Sequence, residues 1–113
     1  MTPLETLKAA RQLISDPAKW TQGVQARDEH GEQVPHSDRA AYCFCIMGAV
    51  NRVKPLWKKL DALLALSKIT RRDFAASVPE FNDTHTHAEV LALFDAAIAE
   101  LEGCDARYKH QSR

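Results

Sequence analysis

The sequence predicts a mainly α-helical fold: a compact bundle of about four principal helices, with a small β-hairpin or hairpin-like loop between helices 1 and 2. Three observations carry this. Apolar residues recur at helical spacing along several segments, most clearly Val90, Leu91, Phe94, Ile98 and Leu101. Capping-box sequences mark helix starts at Thr2-Pro3-Leu4-Glu5 and Thr86-His87-Ala88-Glu89. A two-residue alternation is confined to the stretch between Trp20 and Pro35.

The first helix starts at Thr2, where Pro3 suits the first helical position and Glu5 completes the box. Leu4, Leu7, Ala10 and Ile14 form its apolar face, and Asp16-Pro17 ends it. Val24 and Ala26 then alternate with polar residues, Asp28-Glu29-His30-Gly31 makes a turn, and Gln33-Val34 returns. Two strands alone are marginal in water, so this hairpin must lie on the helices, with Trp20 as anchor. Ser37 or Asp38 is expected to cap the second helix, whose stripe is Tyr42, Ile46, Ala49, Val50 and Val53. A third helix is expected from about Pro55 to Leu66, with Leu56, Leu60, Leu63 and Leu64 inward and Lys58, Lys59 and Asp61 outward. Thr70 is expected to cap a short helical piece through Phe74 to Ser77, closed by Pro79. The last helix runs from Thr86 to a C-cap at Gly103. The expected core is Leu4, Leu7, Ile14, Trp20, Tyr42, Ile46, Val50, Leu60, Leu64, Val90, Leu91, Phe94, Ile98 and Leu101.

A chain of 113 residues supports one core. The expected organisation is a single helical domain, 1–106, and a polar tail, 107–113. Apolar content of 45% and charged content of 27% are those of a globular protein. No apolar run approaches the roughly 18–20 residues of a membrane span, and the first residues lack the pattern of a signal peptide. Three cysteines, an odd number, fit free thiols in a reducing compartment. A cytoplasmic location without membrane contact is therefore expected.

The net charge is zero, but it is segregated. Arg52 to Arg72 holds seven basic residues and one acid, Asp61, whereas Asp73 to Asp105 holds eight acids and no Lys or Arg. Such blocks can steer partners. They can equally pack side by side and neutralise each other, which is the expectation adopted. Arg52, Lys54, Lys58, Lys59, Arg71 and Arg72, with Trp57, are the residues through which nucleic acid would be held. The neutral chain and the placement of Trp57 on the face of Leu60 and Leu64 argue against that use.

The most concentrated chemistry lies in Glu80-Phe81-Asn82-Asp83-Thr84-His85-Thr86-His87, directly before the last helix. Helix starts offer unpaired N–H groups and partial positive charge. Asn82 or Asp83 can form an Asx-turn and Thr86 can cap, but a cap needs no imidazole. Zinc would require Cys43 and Cys45 to act with His85 and His87, and C-x-C is not a usual zinc spacing. On a helix the two cysteines would point about 200° apart, so only an extended chain would bring both to one ion. No metal site and no cofactor are expected. A cysteine nucleophile is the other possibility. Cys45 would attack, His85 or His87 would serve as base, and Asn82 or Asp83 would orient it. Two turns into a helix, Cys45 would gain nothing from the helix dipole, and a packed free cysteine is the competing reading.

The order of marked residues resembles a small family of uncharacterised bacterial and bacteriophage proteins. The matching blocks are Trp20-Thr21-Gln22-Gly23, Ala26-Arg27-Asp28 with Gly31, Cys45-Ile46-Met47-Gly48-Ala49, Asn82-Asp83, and Thr86-His87-Ala88-Glu89-Val90-Leu91. The resemblance runs from about Leu4 to Ile98 and is weakest from Lys54 to Ser77. It implies an architecture and marks Trp20, Gln22, Gly23, Arg27, Asp28, Cys45, Gly48, Asn82 and Asp83; it implies no reaction. Gly48 inside a helix costs up to about 1 kcal/mol relative to Ala, which points to close packing there. The functional expectation is a non-enzymatic binding or interaction module using Trp20, Gln22, Arg27, Asn82, Asp83, His85 and His87. The alternative is a small cysteine-dependent hydrolase or transferase.

Overall fold

The computed structural model describes residues 2–53 and 60–111, with side chains described through Gly103. The expected helix start at Pro55, with Lys54, Leu56, Trp57, Lys58 and Lys59, lies outside the described residues, as do the last two residues of the tail. Five α-helices occur among the described residues: α1 (Pro3–Leu13), α2 (Ile46–Val53), α3 (Leu60–Phe74), α4 (Val78–Thr84) and α5 (His87–Gln111). Between α1 and α2 lie a 3-10 turn (Pro17–Lys19) and two short strands, β1 (Ala26–Arg27) and β2 (Cys43–Phe44).

The helix starts follow local chemistry. Thr2 and Glu5 form the expected capping box on α1. Thr86 and Glu89 form another on α5: the Glu89 amide donates to Thr86 Oγ1 at 3.2 Å and the Thr86 amide to Glu89 Oε1 at 2.8 Å. The turn after Ala26 also forms. Asp28 Oδ1 accepts from the amides of His30 and Glu32, and Arg27 bridges Gln33.

The strand that completes the ladder is not the expected one. β1 pairs antiparallel with β2, Ala26 opposite Phe44 and Arg27 opposite Cys43. Helix 2 therefore starts at Ile46 rather than at Ser37 or Asp38. The Asp38 side chain makes a local turn, accepting from the Ala40 amide at 2.7 Å. The short apolar run around Cys43-Phe44-Cys45 suits strand or helix equally, and the free backbone of β1 decides it.

Five further expectations are corrected. Helix α3 passes straight through Thr70, whose hydroxyl donates back to the Ser67 carbonyl at 3.2 Å. Pro79 opens a helix instead of closing a segment: Ser77 caps α4, Pro79 sits in its first turn and Glu80 completes a capping box. Gly103 lies inside α5 and does not end it. The inward face of α3 is also rotated from the expected one. Ala62, Leu66 and Ile69 are buried, whereas Leu60 and Leu64 are 59% and 64% exposed. Tyr42, expected in the core, is 37% exposed with Lys19 over its ring.

The core gathers Leu7 of α1 and Ile14 at its C-cap, Ile46 and Val50 of α2, Leu66 of α3, Phe81 of α4, and Val90 and Phe94 of α5, with Phe44 of β2. Trp20, Leu91, Ile98 and Leu101 pack on it from its margin, while Leu4 is half-buried outside the cluster. Helix α5 packs along α1 and α3. The charge blocks meet there only in part. Arg72 of α3 holds Glu100 at 3.2 Å, but Asp95 and Glu102 are met by Arg11 and Lys8 of α1, at 2.6 and 3.4 Å. No described helix is long and apolar enough to cross a membrane.

Candidate functional site

The marked residues converge, although Trp20 and Asn82 stand 62 positions apart in sequence. Their centre is Asn82. It sits in α4, is fully buried, and uses its whole amide. Its Oδ1 accepts from the Trp20 indole N–H at 2.8 Å and from the Ile46 amide at 3.1 Å. Its Nδ2 donates to the Thr21 carbonyl at 3.1 Å and to Asp83 Oδ1 at 3.2 Å. Ile46 is the first residue of α2, where an amide has no partner within its own helix. One side chain thus caps α2 and seats Trp20.

The neighbours extend this arrangement. Gln22 Nε2 donates to the carbonyls of Asn82 and His85, at 3.0 and 3.1 Å, closing the end of α4. Asp83 Oδ1 accepts from the Gly23 amide at 2.9 Å, and Gly23 holds a left-handed backbone, φ +85°, that suits glycine. Arg27 spreads its guanidinium over the loop, donating to Thr21 Oγ1, the Gln22 carbonyl and the Gly31 carbonyl at 3.0, 3.2 and 3.2 Å. Gly48 packs so closely on the Gln25 backbone that a Cβ would overlap the Gln25 carbonyl, which accounts for a glycine inside α2.

Both imidazoles are also committed. His87 Nε2 lies 2.7 Å from the Ile14 carbonyl, so this nitrogen carries the proton and ties the start of α5 to the end of α1. Its ring leans on Trp20, with centroids 5.7 Å apart. His85 Nδ1 lies 2.9 Å from the Phe81 carbonyl and 3.0 Å from Thr84 Oγ1, while its ring stacks on Phe81 at 3.8 Å. The expected Asx-turn at Asn82 or Asp83 is absent, because both residues belong to α4.

Cys45 directly precedes α2 instead of lying two turns inside it. Its Sγ accepts from the Gly48 amide at 3.3 Å, a thiol performing a capping function. It is only 7% exposed. Burial pushes its pKa up, partly offset by the Gly48 and Met47 amides, and nearby Asp83 pushes the same way. No hydrogen bond joins Cys45 to His85 or His87 among the described residues, and the balance of burial against the amides leaves its pKa raised. Cys43 lies in β2 and Cys45 directly after it, and no described group of three or more His, Cys, Asp or Glu is placed to hold a metal ion. Among the cations considered for nucleic acid, Arg52 donates to the carbonyls of His36 and Asp38, Arg71 to Ser67 Oγ, and Arg72 pairs with Asp73 and Glu100.

Two depressions flank this hub. A cleft of about 190 Å³ is lined by residues including Cys45, Met47, Pro79 and Asp83. A more apolar groove of about 230 Å³ opens on the other side of α4, between α3 and α5, with Ile69, Phe74, Phe81, His85 and Leu93 in its lining. Phe74 is 48% exposed there and meets Phe81 edge-on, with ring centroids 4.9 Å apart. Sequence reasoning missed this groove because it missed α4. The signal was Ser77-Val78-Pro79-Glu80, a capping box with proline in the first turn.

No curated protein and no solved structure matches the chain. The matching sequence profile covers residues 1–100, most of the chain and every residue of the Asn82 hub, and on that match the protein belongs to the Family of unknown function (DUF6197).

Proposed function

We propose that this protein is a non-enzymatic, cytosolic binding module whose contact surface is the groove between α3, α4 and α5. The observation that carries the reading is the contrast across α4. The polar residues that could have formed a catalytic set are spent on internal bonds, whereas an aromatic-floored groove stays open with Phe74 half-exposed. An exposed aromatic beside a groove is the kind of anchor that partner contacts use. The free, buried thiols of Cys43 and Cys45 fit a reducing compartment.

The test is selection of a randomised twelve-residue peptide library on the immobilised chain. Enriched peptides should bind the wild type and lose at least about ten-fold in affinity with Phe74→Asp, a loss of roughly 1.4 kcal/mol. Circular dichroism should show the variant folded. Failure to enrich any peptide, or binding indifferent to Phe74→Asp, would sink the proposal.

A further inference from the structure

The groove also carries information about what fills it, on the footing that it is the contact surface proposed above. We infer that its occupant is a basic peptide segment of a partner protein, presenting one large apolar side chain flanked by Lys or Arg.

Size comes first. At about 230 Å³ the groove is smaller than the roughly 300–1,000 Å³ of ordinary small-molecule pockets. It suits a single inserted side chain whose backbone runs outside. The floor is aromatic, with Phe74, Phe81 and His85 in mutual contact. The α5 wall carries exposed Ala92 and Ala96, which let a backbone approach closely.

Charge supplies the second half. The two ionisable acids in the lining are Asp73 and Glu89, and no Lys or Arg lines the groove. Both stay ionised at neutral pH. The Arg72 hydrogen bonds hold the Asp73 carboxyl below its usual range, and the Thr86 amide does the same for Glu89. The adjacent guanidinium of Arg72 is shared between two carboxylates, Asp73 and Glu100, so it does not cancel them. Further along α5, Asp95, Glu100 and Glu102 are met by Arg11, Arg72 and Lys8, so the charge an occupant meets is that of Asp73 and Glu89 in the lining. A segment entering this field gains from positive charge on either side of its apolar anchor.

The experiment measures an enriched peptide by fluorescence anisotropy against the full chain, the double variant Asp73→Asn/Glu89→Gln, and Phe74→Asp. Glutamine can replace glutamate in a capping box, so the double variant keeps the α5 start. Enriched sequences should combine one Leu, Met or Phe with at least two Lys or Arg. Affinity should fall about five-fold in the double variant, and about ten-fold between 0.05 and 0.3 M salt, as rim charges are removed or screened. Neutral or acidic peptides that still require Phe74 would overturn this inference and leave the binding reading standing. Peptides indifferent to Phe74 would overturn both. A concentration-dependent dimer abolished by Phe74→Asp would assign the groove to a second copy of this chain and overturn the inference as well.

Discussion

Phe81 and Asn82 are consecutive residues of one short helix, both buried, and they face opposite kinds of surroundings. Asn82 turns toward the loop before β1 and the start of α2, where four hydrogen bonds saturate its amide. Phe81 turns toward α3 and α5, where it forms the floor of an open apolar groove. The difference teaches how to sort marked residues in a small domain. Polar residues whose bonds are all internal hold the fold, because leaving their buried partners unpaired is expensive. A half-exposed aromatic that completes no core is free to meet something else.

The comparison breaks most readily at Asn82. Asn82→Ala leaves the Trp20 indole, the Ile46 amide and the Thr21 carbonyl without their partner. At roughly 1–3 kcal/mol for each buried unsatisfied group, partly relieved by water, a loss of about 3 kcal/mol is expected in urea unfolding. A loss below about 1 kcal/mol would show that the hub is not what holds α2 and α4 together.

The groove side should behave in the opposite way. Phe74→Ala removes edge-on contacts with Phe81 and His85 worth about 1 kcal/mol each, so the melting temperature should fall less than in Asn82→Ala. Peptide binding should nevertheless drop sharply in the same variant. A Phe74 variant that unfolds as easily as Asn82→Ala would erase the distinction between the two sides.

The smallest effect sharpens the boundary where Glu89 serves both the α5 cap and the groove rim. Its folded pKa lies below the usual value because the Thr86 amide donates to it. Such a carboxylate contributes stability that is present above its unfolded pKa, about 4.3. That contribution is lost as pH falls through the folded pKa. Glu89→Gln does not titrate, so the gap in melting temperature between wild type and variant should close as pH drops from 6 toward 2. A gap that stays constant would mean that the carboxylate's charge adds nothing to the cap.

Much of this was legible locally. The boxes at Thr2 and Thr86 rest on residues three apart, and the buried Val90 and Phe94 follow from a single helical period. The marked positions Trp20, Gln22, Gly23, Arg27, Asn82 and Asp83 were named from sequence, and the structure brings them together. Their roles were not legible. His85 and His87 read as ligand contacts, or as bases for Cys45; in the structure one ring nitrogen of each meets a backbone carbonyl. Cys45 was misplaced because the β1 backbone, and not the period of its own segment, claims Cys43 and Phe44.

The sequence by itself therefore determined the helical class and the caps at the two outer helices. These depend on neighbours within a turn or two, where backbone geometry allows few alternatives. Only the tertiary structure decided that Cys43-Phe44 is a strand, that α2 begins beside Cys45, and that Asn82 joins Trp20 to Ile46 while Phe81 floors a groove. Those outcomes depend on which unpaired donors and acceptors meet across tens of residues, and buried polar groups take whichever partner the packing brings within reach.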